Sequence, residues 1–247
     1  MKKFLIIIVL VLTFNCVKDE SVPIVITRTT FLNLDLIDEI YQNNSVYAFG
    51  ASNNEDSDTT DIFVVFEENA ADFRYYETGR ADVDPNHLSN YVFVEIQPSK
   101  ILDNGLLLYE RRSDIEQWII VTYRIDGKIK LSSPIRTKNT SQPTLNLDAI
   151  DISDNASVNP TFNWQTISVE NNAFFFESMH RISDAELLSL TFTEDSSFTY
   201  FDLSNVTLNL SQFTPPDLEF EKQYRFKVMD IDLDNWINTI YQADFSL

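Results

Sequence analysis

The chain of 247 residues holds one cysteine, four glycines and two histidines, and its 18 lysines and arginines face 38 aspartates and glutamates. Each shortage removes a class of function. A single cysteine, Cys16, excludes a disulfide within the chain. Gly50, Gly79, Gly105 and Gly127 are too scattered for the glycine-rich loops that cradle phosphates or dinucleotides. His87 and His180, with no second cysteine, fall short of a zinc site built on nitrogen and sulfur. No Gly-x-Ser-x-Gly elbow and no His-Glu-x-x-His pair occurs. A net charge of −20 repels nucleic acid, which requires clustered Lys and Arg against phosphate. Long apolar runs are also missing. The one unbroken run, Phe4 to Leu12, is too short to cross a bilayer core of about 30 Å as a helix.

What is present is apolar and aromatic: 44% hydrophobic and 13% aromatic residues, enough to build packed cores and to argue against disorder. With glycine scarce, turns fall to Asn and Asp, as at Asn43-Asn44, Asn53-Asn54 and Asn171-Asn172. Between the turns lie short aromatic or β-branched runs: Ser45 to Ala51, Asp61 to Phe66, Phe73 to Tyr76, Tyr91 to Ile96, Leu106 to Tyr109, and Trp118 to Ile125. They continue as Ala173 to Met179, Leu188 to Thr193 and Phe198 to Leu203, and they predict an all-β sandwich architecture. Val22 to Phe31 alternates as an opening strand, whereas Asn33 to Gln42 suits a short helix as well as a strand. Asp126-Gly127 marks a hairpin. If one sheet face is wet, a three-residue loop is expected, pairing Tyr123 with Ile129 and Val121 with Leu131.

Residues 138–143, polar up to Pro143 and without periodicity, read as a linker between a first β-sandwich domain (22–137) and a second (144–247). Charge is also uneven, near −8 for Ser21 to Asn139 and near −13 for Thr140 to Leu247.

Lys2-Lys3, the apolar run and Cys16 together resemble a bacterial lipoprotein signal: residues 1–15 the signal peptide, Cys16 the lipidated residue, and 16–21 a tether. Lys18-Asp19-Glu20, directly after the cysteine, resembles the export tag of Bacteroidota surface lipoproteins. The resemblance implies a protein lipid-anchored in the outer membrane and facing the cell exterior. In the second half, Pro160 and Trp164 on one strand, and Leu218 six residues before Tyr224 on an alternating strand, resemble a fibronectin type III-like domain. That resemblance implies an immunoglobulin-like sandwich with Tyr224 as its tyrosine corner, the ring buried and the hydroxyl bonded to upstream backbone.

No constellation of catalytic residues stands out, so the expectation is a non-catalytic surface lipoprotein acting as a binding or adhesion module for an unidentified protein or glycan. The alternatives are an accessory glycan-binding lipoprotein of a nutrient-uptake system, and a hydrolase using a carboxylate pair. No cofactor is expected beyond weakly held calcium. Acidic turns at Glu55 to Asp61 and at Asp82-Val83-Asp84 offer oxygens, and so do Asp230, Asp232 and Asp234, which alternate before Trp236. Trp236 is the expected ligand platform. An exposed aromatic pair would favour a glycan, and a deep carboxylate-lined cleft would favour an enzyme.

Overall fold

The computed structural model describes residues 30–102, 105–113, 115–153, 157–167, 172–200, 202, 204, 206–211 and 214–247. Cys16, Lys18, Asp19, Glu20 and most of the expected Val22 to Phe31 strand lie outside the described residues. The chain is all-β. After one short helix, α1 (Leu32–Asp35), come β1 (Tyr41–Ser52), β2 (Thr59–Val65), β3 (Ala71–Glu77), β4 (Val92–Val94) and β5 (Ser99–Leu102). β6 (Leu106–Arg112), β7 (Trp118–Ile125), β8 (Lys128–Ser132) and β9 (Ile135–Arg136) complete the first set.

β1 belongs to two layers. Its first part pairs in parallel with β8, and from Tyr47 onward it pairs antiparallel with β2. One layer therefore runs β4-β3-β7-β8-β1, with β9 beside β7, and the other runs β1-β2-β6-β5. Their facing side chains, among them Ile62, Val64, Tyr75, Tyr109, Ile119 and Val121, form a core.

The second set comprises β10 (Leu145–Leu147), β11 (Ile150–Ser153), β12 (Thr161–Trp164), β13 (Asn172–Arg181) and β14 (Leu187–Thr193). It continues with β15 (Ser197–Thr199), β16 (Val206–Asn209), β17 (Gln223–Asp232) and β18 (Ile237–Ser246). A six-stranded layer, β10-β18-β17-β13-β14-β16, faces a three-stranded one, β11-β12-β15. Between them Phe226 stacks on Phe162, centroids 4.0 Å apart, and on Phe198 at 5.6 Å, with Trp164 edge-on to Phe175. The Tyr224 hydroxyl accepts the Glu219 N–H at 2.7 Å and donates to the Glu219 carbonyl at 3.2 Å, closing the turn before β17. Tyr224→Phe is expected to cost about 1–2 kcal/mol in chemical unfolding. The figure is modest because Glu219 reaches water and its backbone can be partly resolvated.

The hairpin register differs from expectation. Asp126 and Gly127 both have positive φ (49° and 72°), which makes a two-residue type I′ turn. The observed pairs are Tyr123 with Lys130 and Thr122 with Leu131. The one-wet-face premise fails because β7 is buried on both sides. Leu32, Leu36 and Tyr91 cover Ile120 and Leu131 on the outer face. On the inner face the polar partners are satisfied: the Ser132 hydroxyl accepts the Val121 N–H at 3.1 Å, and Lys130 pairs with Glu67, which also accepts the Tyr123 hydroxyl.

The two sets of sheets share a buried seam. Phe49, Ala51 and Leu106, on the outer face of β1 and β6, pack against Phe176, Leu190, Phe192, Met229 and Ile231 of the six-stranded layer. β14 is consequently buried along its whole length. Residues 138–143, the expected linker, lie between the two sets in sequence and are pinned. Lys138 is buried and ion-paired, Asn139 accepts the Thr60 hydroxyl at 2.8 Å, and the Gln142 carbonyl accepts the Trp236 indole N–H at 2.8 Å.

Candidate functional site

The stretch expected to bind calcium is the fastener of this seam. Asp232 Oδ2 lies 2.6 Å from Lys138 Nζ, and Asp234 Oδ2 lies 2.9 Å from the same ammonium. Asp232 Oδ1 accepts the backbone N–H groups of Asp234 and Trp236, at 2.9 and 3.1 Å, and so holds the turn. Asp230 is fully buried and its two carboxylate oxygens have no partner. Calcium through these three residues is therefore corrected: the cation shared by Asp232 and Asp234 is Lys138, and Asp230 does not join them. Among the described residues no group of three or more His, Cys, Asp or Glu is placed to hold a metal.

Trp236 as a ligand platform is corrected too, since it is 0% exposed. The turn inserts it against the first set of sheets, where Gly50 N–H donates to the Asn235 carbonyl at 3.0 Å. A Cβ on Gly50 would stand 3.0 Å from the Trp236 ring, tighter than an ordinary contact, so any larger residue there requires the indole to shift by a few tenths of an ångström. The other tryptophans offer no platform either. Trp164 is core, and Trp118 is half-buried, its indole N–H donating to the Ala81 carbonyl at 2.8 Å.

Where the seam's apolar contacts end, the two layers part and leave a polar cleft of about 420 Å³. The first layer contributes Asp61 of β2 and Glu110 of β6, directly opposite one another across the strand pair. The six-stranded layer contributes Lys227 of β17 and Gln242 of β18, again a cross-strand pair. Asn53, Asn54, Glu55, Asn146 and Asp148 complete the lining, with the Asn146 amide donating to Asn54 Oδ1. Alternation explains the placement: Phe49, Ala51 and Phe63 share the face that carries Asp61, and two residues further on the apolar seam gives way to charge.

The electrostatics are uneven. Burial, with a smaller contribution from Glu110, pushes the Asp61 carboxyl up, while the Asn53 amide donates to both its oxygens at 3.0 and 3.2 Å and opposes the shift. Burial pulls the Lys227 ammonium down, helped by Arg225. Asp244, the acid near Lys227, is already held by Arg225 at 2.6 and 2.7 Å. Glu110, Asp148, Gln242 and Lys227 thus face the cleft with no hydrogen-bond partner among the described residues. Of this lining the sequence marked only Glu55 and Asp61, as an acidic turn. Lys227 read as an ordinary wet-face residue of an alternating strand, and nothing local showed that a second sheet stands over it.

No family model matches the chain, and no curated protein matches it in sequence. Among solved structures, the chain is similar to the glycoside hydrolase domain of Endo-D from Streptococcus pneumoniae at a TM-score of 0.33 and 8% identity. That match covers 81% of this chain and spans about a third, 33%, of the other.

Proposed function

We propose that this protein is a non-catalytic binding module, anchored to the outer membrane through lipid on Cys16, that takes its ligand in the seam cleft. The observation that carries the reading is the set of unpaired polar groups in one concave site, Glu110, Asp148, Gln242 and Lys227, on two layers locked together by a buried seam. Concave sites with a few convergent polar groups are where proteins bind small or chain-end ligands. The carboxylates take hydrogen-bond donors and repel anions, and Lys227 and Gln242 supply the donors that orient a neutral group. A hydroxyl-rich glycan end has that chemistry. The order of strands in the second set, with Tyr224 bonded to Glu219, supports reading it as fibronectin type III-like.

A second reading, hydrolysis, draws on the facing Asp61 and Glu110, because cross-strand neighbours stand about 5 Å apart at Cβ, from which two carboxyl groups can reach the spacing of a catalytic pair. One titration separates the readings. Neutral oligosaccharides are added to isotope-labelled protein while amide and side-chain resonances are followed. Shifts confined to 53–55, 146–148, Lys227 and Gln242, with affinity lowered at least about tenfold in Glu110→Gln/Asp148→Asn, are expected, a loss of about 1.4 kcal/mol or more. Shifts mapping elsewhere, or a double variant that binds as wild type does, contradict the cleft. Loss of the oligosaccharide during the titration, abolished by Asp61→Asn, would instead select hydrolysis.

A further inference from the structure

The described chain begins with an apolar ridge. Of the twelve large hydrophobic side chains exposed among the described residues, five fall within eleven residues: Phe31, Leu34, Ile37, Ile40 and Tyr41, between 39% and 66% accessible. The intervening apolar residues, Leu32 and Leu36, point inward and cover the outer face of β7 and β8. The stretch also contains three acids, and two of them are neutralised by arginines. Asp35 accepts the Tyr76 hydroxyl at 2.8 Å and pairs with Arg74 at 3.3 Å, and Glu39 takes both Arg124 amino groups at 3.0 Å. Only Asp38 stands exposed and charged on the ridge itself. Clustered exposure of apolar side chains, with most of the neighbouring acids already neutralised, marks a contact surface.

The position in the chain says what covers it. Cys16 stands fourteen residues before Thr30, a length of chain that spans at most about 50 Å, and the ridge is the first element among the described residues. We infer that Phe31, Leu34, Ile37, Ile40 and Tyr41 rest in the interfacial zone of the membrane that holds the acyl chains. The second contact sets the protein's orientation. The inference rests on the lipid-anchor reading. The charges select the lipid: Asp35, Glu39 and Asp72 outnumber Arg74 and Arg124 beneath the ridge, and the whole chain carries −20. An anionic surface repels this face, and a zwitterionic one such as phosphatidylethanolamine accepts it.

The test is carbene footprinting of the full-length lipoprotein reconstituted in phosphatidylethanolamine/phosphatidylcholine vesicles. Mass spectrometry of the same sample reads acylation at Cys16. Labelling of residues 31–41 is expected to drop relative to Phe220 and Leu233, which are comparably exposed elsewhere. In Leu34→Gln/Ile37→Gln/Ile40→Gln the docked population should fall by about tenfold for each side chain withdrawn, restoring label to Phe31 and Tyr41. All three positions are exposed, so folding is preserved. Equal labelling of the ridge in wild type and variant overturns the inference even when Cys16 is acylated. An unacylated Cys16 overturns the anchor reading instead. The ridge is then judged on the unlipidated chain with added vesicles: protection retains it and its absence rejects it.

Discussion

Trp236→Ala is expected to lower the stability of the intact protein by about 3–5 kcal/mol, the cost of emptying the site of a fully buried tryptophan. The loss should come mainly from the seam. Trp236 fills the space over Gly50 and donates to the Gln142 carbonyl, so its removal takes packing and a hydrogen bond from the same joint. The neighbouring pair of Lys138 with Asp232 is buried, with Asp234 half-buried at its edge, and a loosened seam admits water to it. Denaturant unfolding followed separately by near-ultraviolet and far-ultraviolet signals should therefore give coincident curves for wild type and separated ones for the variant. Coincident curves for the variant, with a loss below about 1 kcal/mol, would mean that the indole merely fills a surface notch.

The second large effect concerns acids with no partner. Glu177 and Asp230 both lie inside the second set of sheets. Glu177 Oε2 accepts the Thr191 hydroxyl at 3.0 Å, while its Oε1 and both oxygens of Asp230 are unpaired. Burial pushes the Glu177 carboxyl well up and raises that of Asp230 to about 6, with nearby Asp232 adding to the latter. Carboxyls raised in the folded state cost nothing below their unfolded values. The penalty begins as pH climbs through that range and, for Asp230, levels off above about 6. Asp230→Asn is thus expected to stabilise the protein at pH 7.5 by something on the order of 1–3 kcal/mol and to do nothing at pH 3.5. Glu177→Gln should act in the same direction. Taking the difference between variant and wild type at each pH removes the opposing contribution of His180, whose imidazole is held down by burial. A gain that does not vary with pH would show that charge is not the cause.

How much of this was legible in the sequence depends on how far apart the interacting residues lie. Strands such as β7 and β17 announced themselves through local aromatic and β-branched runs, and Tyr224 took its place from its spacing to Leu218. The position of the Asp126-Gly127 turn was equally local. Its register was not, because it depended on Leu32, Leu36 and Tyr91 covering a face presumed wet. Asp232 and Asp234 looked like calcium ligands because their cation, Lys138, lies nearly a hundred residues earlier in a stretch that reads as a linker. The cleft was hidden for the same reason. Asp61 and Glu110 belong to one layer, Lys227 and Gln242 to another, and only the stacking of the layers makes them a site.

A cleft with walls on two layers keeps its shape only if that stacking holds and the layers do not move apart. Scanning calorimetry of the intact protein tests it most directly. One transition, with calorimetric and van't Hoff enthalpies equal, is the result predicted for two sets of sheets sharing a buried seam. Two resolved transitions, unchanged by Trp236→Ala, would contradict it, for the carboxylate wall and the Lys227 wall would then belong to bodies that fold and move independently.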